Sequence, residues 1–83
     1  MRLATYLASD DMTQPDIIQV RINGEPRQVA AGSTIAALVA GIGLDPARVA
    51  VERNLEIVPR STLGDVAVAA GDAFEIVHFV GGG

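Results

Sequence analysis

The fold is decided by residues 17–43, which read IIQVRINGEPRQVAAGSTIAALVAGIG. At the start of this segment, apolar Ile18, Val20 and Ile22 alternate with polar residues, which is the period of a strand with one buried face. Asn23-Gly24 follows directly, and this dipeptide favours a two-residue hairpin turn because both positions tolerate a positive φ. The segment therefore begins with a β-hairpin.

The return strand of this hairpin, residues 27–29, is predicted to be short and to lie at an edge of the sheet. Pro26 comes immediately before it. Proline is confined to edge positions of a sheet because it has no N–H group to donate to a neighbouring strand. We therefore expect no further strand on the outer side of this segment.

One amphipathic helix follows the hairpin. Ser33 or Thr34 is predicted as its N-cap, because a hydroxyl group there can accept a hydrogen bond from the first turn. The apolar residues of the helix are spaced at i, i+3, i+4 and i+7 and form a single stripe. They are Ile35, Leu38, Val39 and Ile42. Gly41 and Gly43 are predicted to end the helix.

Three further strands are predicted after the helix. They comprise residues 49–52, residues 56–58 and residues 74–80. Pro59 stops the second of these strands. The connection over residues 60–70 is predicted to contain a short helical turn near residues 61–63. Gly71-Asp72 then turns the chain into the last strand, which reads FEIVHFV.

The order of these elements predicts an α+β fold. One helix with one apolar stripe buries it against one face of a mixed sheet, and the first and last strands, the most apolar, are expected side by side at its centre. This is the β-grasp, or ubiquitin-like, arrangement. The domain is predicted over residues 17–80, after a loosely ordered N-terminal extension at residues 1–16 and before a flexible Gly-Gly-Gly tail at residues 81–83.

The composition excludes several classes of function. The 83 residues include no cysteine and a single histidine, so we expect no disulfide, no metal site and no cysteine nucleophile. The net charge of −4 argues against binding of nucleic acid, whose phosphates require basic side chains. No apolar stretch approaches the roughly 20 residues of a membrane span and no secretory pattern is present, so a cytoplasmic location is expected.

The sequence ends in Gly81-Gly82-Gly83, directly after the last predicted strand. Glycine has no Cβ atom, so such a tail can enter a slot that is too narrow for side chains, and three extended residues reach roughly 10 Å. The pattern favours a terminus that is inserted into another protein's active site over a frayed end. Glycine is expected to be required at Gly82 and Gly83 so that the tail can enter the partner's active site, whereas Gly81 serves as a spacer.

The residues beside the tail are candidates for contacts with a partner. Phe79 and Val80 are predicted to dock on the partner, with ordinary core packing as the alternative for Phe79. Arg53 and Arg60 are candidates for pairing with acidic groups of a partner, although a solvated arginine is the more frequent case. His78 is predicted to be a structural or interface histidine rather than a catalytic one.

Five segments carry a resemblance that covers about residues 17–83. They are Val20-Arg21-Ile22-Asn23-Gly24, Gly32-Ser33-Thr34-Ile35, Val49-Ala50-Val51-Glu52-Arg53-Asn54, Ile57-Val58-Pro59-Arg60, and Gly71-Asp72 with residues 75–83. Their order, spacing and termination together resemble the ThiS family, the sulfur carriers of thiamine biosynthesis.

That resemblance implies a protein sulfur carrier rather than an enzyme, with no catalytic residue and no bound metal or cofactor of its own. A ThiF-type adenylating partner is implied to use ATP and Mg²⁺ to activate the carboxylate of Gly83. A cysteine desulfurase or another persulfide donor then supplies sulfur, and the product is a thiocarboxylate at Gly83. The resemblance implies that thiazole synthase of the ThiG type takes this sulfur for the thiazole ring.

Three alternatives stay open at this point. The small subunit of molybdopterin synthase has the same fold, tail and thiocarboxylate, although residues 57–60 and the ending at residues 80–83 favour the thiamine branch. The second alternative is a ubiquitin-like modifier that is conjugated to amines of target proteins. The third is a β-grasp interaction module whose tail has no chemical role.

Overall fold

The computed structural model describes residues 16–80, which form a five-stranded mixed sheet and one α-helix. The strands are β1 (Ile17–Ile22), β2 (Glu25–Ala30), β3 (Val49–Arg53), β4 (Glu56–Val58) and β5 (Ala73–His78), and the helix α1 spans Ile35–Gly41. Short 3-10 helices lie at Pro46–Arg48 and Arg60–Thr62. The predicted β-grasp fold is confirmed, whereas the predictions for residues 1–15 and 81–83 lie outside the described residues.

The strand that leads to the glycine tail lies at the centre of the sheet. The order of strands is β2-β1-β5-β3-β4. β1 and β5 pair in parallel, with Arg21 opposite Ala73 and Ile22 opposite Phe74, and the other neighbouring pairs are antiparallel. The expectation that the first and last strands are adjacent is confirmed. β5 therefore pairs with β1 at Ala73 and Phe74 and with β3 from Phe74 to His78.

The hairpin of β1 and β2 is longer than the sequence pattern suggested. Asn23 and Gly24 adopt φ values of 52° and 87°, and this tight turn leaves Ile22 directly opposite Glu25. Pairing therefore begins immediately after the turn, and β2 has six residues instead of the predicted three. β2 is an edge strand, as Pro26 predicted.

The helix begins at Thr34 and buries its apolar stripe. The Oγ1 atom of Thr34 accepts a hydrogen bond from the N–H of Ala37 at 3.1 Å, so Thr34 rather than Ser33 is the N-cap. Ser33 instead donates its hydroxyl to the carbonyl oxygen of Ala30 at 2.7 Å. The stripe residues Ile35, Leu38 and Val39 are buried, and Ile42 is half-buried at the end of the helix.

The connection between β4 and β5 covers the amino end of the helix. The N–H of Ile35 donates to the carbonyl oxygen of Val66 at 3.0 Å. The N–H of Ala36 donates to the carbonyl oxygen of Leu63 at 2.8 Å. These bonds satisfy donors that have no partner within the helix itself. Leu63 and Val68 of the same connection are buried in the core, which the sequence pattern did not predict.

Two asparagines hold β5 at points where its neighbouring strands have already ended. The side chain of Asn23 accepts from the N–H of Ile76 at 2.8 Å and donates to the carbonyl oxygen of Ile76 at 3.2 Å. The side chain of Asn54, which follows the last residue of β3, accepts from the N–H of Ala73 at 3.0 Å. Each side-chain amide thus makes the hydrogen bonds to β5 that the backbone of a neighbouring strand would otherwise make.

Asp72 fixes the entry of the chain into β5. Its side chain is almost fully buried, and its carboxylate accepts hydrogen bonds from the N–H of Ala69 at 2.9 Å and from Nδ2 of Asn54 at 3.1 Å. The Nε atom of Arg53 lies 3.5 Å from the same carboxylate. A buried carboxylate is tolerated here because it is paired and hydrogen-bonded.

We expect Asp72→Ala to lower the free energy of unfolding by about 1.5–3 kcal/mol, the usual contribution of hydrogen bonds to a charged group. The donors affected are Ala69 N–H and Asn54 Nδ2. Thermal or urea unfolding measures the change, and Asp65→Ala is the control because Asp65 is an exposed carboxylate of the same connection. Equal changes in the two variants would contradict the structural role given to Asp72.

Candidate functional site

The candidate site is the end of β5, from which the chain continues to the terminal glycines. β5 spans Ala73–His78, so it ends two residues earlier than the predicted strand over residues 74–80. The reason lies in its neighbour, because β3 begins only at Val49, which pairs with His78. The chain before Val49 is a 3-10 helix and offers no strand partner.

One hydrogen bond continues past the strand. The N–H of Phe79 donates to the carbonyl oxygen of Arg48 at 2.8 Å. Val80 follows with 83% of its surface exposed. Val80 is therefore a surface residue where the chain leaves the domain, and Phe79 is the residue at the boundary.

Arg60 and Phe79 are the two predicted docking residues that the structure brings together. The guanidinium carbon of Arg60 lies 5.4 Å from the centre of the Phe79 ring, which is within the roughly 6 Å range of a cation–π interaction. The Nε atom of Arg60 donates to the carbonyl oxygen of Val49 at 3.3 Å. Phe79 is 42% exposed, so it is neither a core residue nor fully solvated.

A cleft with two arginines lies beside this pair. Its lining residues are Asp45, Ala47, Arg48, Arg60 and Phe79. Among residues 16–80, the charged side chains that line the cleft are two arginines and one aspartate, although the whole chain carries a net charge of −4. Arg53, the other candidate for pairing with a partner, lies near the opposite end of β5 and pairs with Asp72 instead.

The two faces of β5 differ. Phe74 and Ile76 are buried on the face that packs against the helix, whereas Val77 is 60% exposed on the open face. His78 follows the alternation of the buried residues but is itself exposed, because the buried part of the strand ends at Ile76. Its predicted role as a structural or interface histidine stays a prediction.

Two exposed apolar residues of the β3–β4 hairpin were missed from the sequence. Ile57 lies opposite Glu52 on the open face and is 79% exposed, and Leu55 in the turn is 88% exposed. The signal for Ile57 was available, since neighbouring residues of a strand point to opposite faces and Val58 faces the core. Leu55 has a φ of 72°, a conformation that leucine rarely adopts, and no sequence pattern predicted it.

Comparison with known proteins decides the family. The sequence model of the ThiS family matches residues 20–83, which includes most of the described domain and the three terminal glycines. The chain belongs to the ThiS family. The structure of the ThiS thiamine biosynthesis protein from Geobacter metallireducens agrees in fold, with a TM-score of 0.66 and 30% sequence identity over 80% of this chain and 100% of that one.

Relatives of this ThiS-family chain occur in two contexts. A sulfur carrier protein ThiS from Bacillus subtilis is 46% identical over 50 residues, which are 60% of this chain and 76% of that protein. A thiazole synthase from Paramagnetospirillum magneticum is 56% identical over 62 residues, which are 75% of this chain and 19% of that protein. The chain spans about a fifth of the length of the thiazole synthases it matches.

The ThiS-family domain itself offers few reactive groups. Within residues 16–80, no group of three or more histidine, cysteine, aspartate or glutamate side chains is arranged to hold a metal ion. None of the helices in that range is long and apolar enough to cross a membrane. The predicted site residues Gly81, Gly82 and Gly83 lie outside the described residues, so their roles stay predictions.

Proposed function

We propose that this chain is a sulfur carrier of thiamine biosynthesis and that Gly83 is the residue that carries the sulfur as a thiocarboxylate. The observation that carries the proposal is the match to the ThiS family through Gly83, on a domain whose central strand leads directly to the terminal glycines. The end of this strand is fixed by the pairing of His78 with Val49 and by the hydrogen bond of Phe79 to Arg48, so it provides a base for a reactive terminus. The proposal requires a free carboxylate at Gly83.

The chemistry begins at that carboxylate, which is a poor electrophile. A ThiF-type partner adenylates it with ATP and Mg²⁺, both of which are bound by the partner. A persulfide on a cysteine desulfurase, or on another donor, then attacks the acyl-adenylate and displaces AMP, which forms an acyl disulfide. A thiol reductant cleaves the S–S bond, so the thiocarboxylate is released and the donor and reductant leave joined as a disulfide. The carrier contributes position rather than acid or base catalysis, and it acts as a co-substrate of its partners instead of an enzyme.

Thiazole synthase is the proposed recipient of the sulfur. The support is that a segment similar to this chain makes up about a fifth of proteins called thiazole synthase. A carrier and its recipient joined in one polypeptide gain a high effective concentration for each other. The same relatives favour the thiamine branch over a molybdopterin-type carrier, which is the alternative with the same fold and tail.

The proposed docking surface surrounds the end of β5. Phe79 and Val80 present apolar area there, and Val77 continues this area onto the open face of the sheet. Arg60 adds positive charge beside it. Interfaces combine an apolar centre with charged groups that orient the partner, so we propose that the partner carries an apolar patch next to acidic side chains.

The composition protects an activated terminus from side reactions. The chain contains no cysteine, and its six basic residues are all arginine. Arginine stays protonated in proteins and is a poor nucleophile. An acyl-adenylate or thiocarboxylate at Gly83 therefore meets no lysine amine and no thiol of its own chain.

We expect the intact mass of the chain to rise by roughly 16 Da after incubation with the cognate ThiF-type enzyme, ATP, Mg²⁺, a persulfide donor and a thiol reductant, since sulfur replaces one oxygen at the carboxyl terminus. Intact mass spectrometry measures the change, and fragmentation assigns it to Gly83. Omission of ATP should abolish the gain.

A matched variant with one alanine added after Gly83 tests the position of the chemistry. It keeps residues 16–80 unchanged and removes the free carboxylate from Gly83, so no mass gain is expected. A wild-type chain that gains no mass with a demonstrably active enzyme would overturn the sulfur-carrier proposal and favour the interaction module.

A further inference from the structure

The place where the chain leaves the domain is held by two different contacts. The backbone of Phe79 is held by its hydrogen bond to the carbonyl oxygen of Arg48, at 2.8 Å. Its ring is held by the guanidinium group of Arg60, at 5.4 Å. Among residues 16–80, Phe79 is the last with a hydrogen bond to the rest of the domain, and Val80 is exposed.

Arg60 is itself attached to a well-supported part of the fold. Its Nε atom donates to the carbonyl oxygen of Val49 at 3.3 Å, and Val49 is the residue of β3 that pairs with His78. Arg60 begins the 3-10 helix Arg60–Thr62, and the residue after this helix, Leu63, is buried with 2% exposure. The guanidinium group is therefore held by Val49 through its Nε atom, and it also contacts the ring of Phe79.

The position of Phe79 sets the length of chain between the last hydrogen bond of the described domain and Gly83. Four residues, Val80 to Gly83, follow it, and four extended residues span at most roughly 13–14 Å. A short arm on a fixed base keeps its end within a small volume, whereas each released residue enlarges that volume. Reactions of a bound group depend strongly on such positioning, and misplacement by about 1 Å can cost a large factor in rate.

We propose that Arg60 is a positioning residue for the C-terminal arm. It clamps the ring of Phe79 against the domain and so fixes the point from which the chain continues to Gly83. This inference rests on the proposed function for its catalytic consequence, but the clamp itself is a property of the isolated chain. Arg60 also belongs to the proposed docking surface, and the experiment separates its hold on the ring of Phe79 from a direct ion pair with the partner.

The test uses Arg60→Met, which keeps a long apolar side chain but removes both the charge and the Nε donor. Phe79→Leu removes the ring from the other side of the same contact. The control is Arg27→Met, because Arg27 is an exposed arginine of β2 with no side-chain hydrogen bond or ion pair among residues 16–80. All variants are made in the full chain, and thermal unfolding checks that each remains folded.

The first measurement is the {1H}-15N heteronuclear NOE of each variant without any partner. Arg60→Met and Phe79→Leu should lower the NOE at residues 79 and 80 toward the value of a mobile terminus and leave β1 and β3 unchanged. Arg27→Met should match the wild type throughout. An unchanged NOE at Phe79 in Arg60→Met would overturn the clamp, whether or not the chain carries sulfur.

The second measurement is the rate of sulfur loading. A misplaced arm lowers the fraction of bound carriers that react, so Arg60→Met should lower kcat by roughly 3- to 10-fold, in addition to any rise in KM that its loss from the docking surface causes. A rise in KM at constant kcat, with the NOE unchanged, would assign Arg60 to direct docking instead. A lowered NOE with wild-type loading would refute the positioning role. If the wild type is not loaded with sulfur, that result counts against the proposed function. The contact between Arg60 and Phe79 is then tested by the NOE measurement alone.

Discussion

Leu38→Ala is expected to lower the free energy of unfolding by roughly 2–5 kcal/mol. Leu38 is 4% exposed and belongs to the stripe of α1 that packs on the sheet. Truncation removes its apolar contacts and leaves a cavity that the surrounding strands fill only in part. In a domain of this size, we expect the melting temperature to fall by at least roughly 8 °C, which thermal unfolding by circular dichroism measures.

The matched control is Ile57→Ala. Leucine and isoleucine are isomers, so both variants lose the same number of carbon atoms, but Ile57 is 79% exposed on the open face of the sheet. Substitutions at exposed positions usually change stability by no more than about 0.5 kcal/mol. Similar losses in both variants would mean that the helix does not carry the core described here.

Gly82→Ala should leave the melting temperature unchanged and lower the rate of sulfur loading by roughly tenfold or more. The added Cβ atom is small, but a channel shaped for glycine has no room for it, and a displaced terminus reacts slowly. The described core ends at Ile76 within β5, so no loss of stability is expected. Loading is followed by intact mass spectrometry at several times after the addition of the activating enzyme.

Gly81→Ala provides the graded control, because the residue farther from the carboxylate is expected to act as a spacer. Its loading rate should lie closer to the wild type than that of Gly82→Ala. If Gly82→Ala loads at the wild-type rate, the tail does not pass through a narrow channel, and the assignment of Gly82 as an access residue is wrong.

Local patterns predicted most of the fold. The alternation of Ile18, Val20 and Ile22 predicted β1, and the stripe of α1 predicted which side of the helix is buried. β4 was also predicted over its observed residues. These features depend on residues a few positions apart in the sequence. Over such short distances, the spacing of apolar residues indicates which side chains are buried. The adjacency of β1 and β5 followed from their apolar character alone.

Features that depend on distant residues were not predictable in the same way. The end of β5 is set by where β3 begins, and the hydrogen bonds of Asn23 reach across 53 positions to Ile76. The contact between Arg60 and Phe79 likewise joins a 3-10 helix to the end of a strand. Each residue was singled out from the sequence as a candidate for docking, but only the structure shows that they touch.

The Asn23-Gly24 pair is also the position at which we expect this protein to deamidate. Asparagine followed by glycine loses its side-chain amide as ammonia more readily than other pairs, because the next backbone nitrogen attacks it without hindrance. Here both ends of that amide are held by Ile76, so the reaction has to wait for local opening of the hairpin. In the aspartate product a carboxylate oxygen replaces Nδ2 and faces the carbonyl oxygen of Ile76, so two acceptors meet without a proton between them. Deamidation during storage would therefore loosen the strand that carries the reactive end.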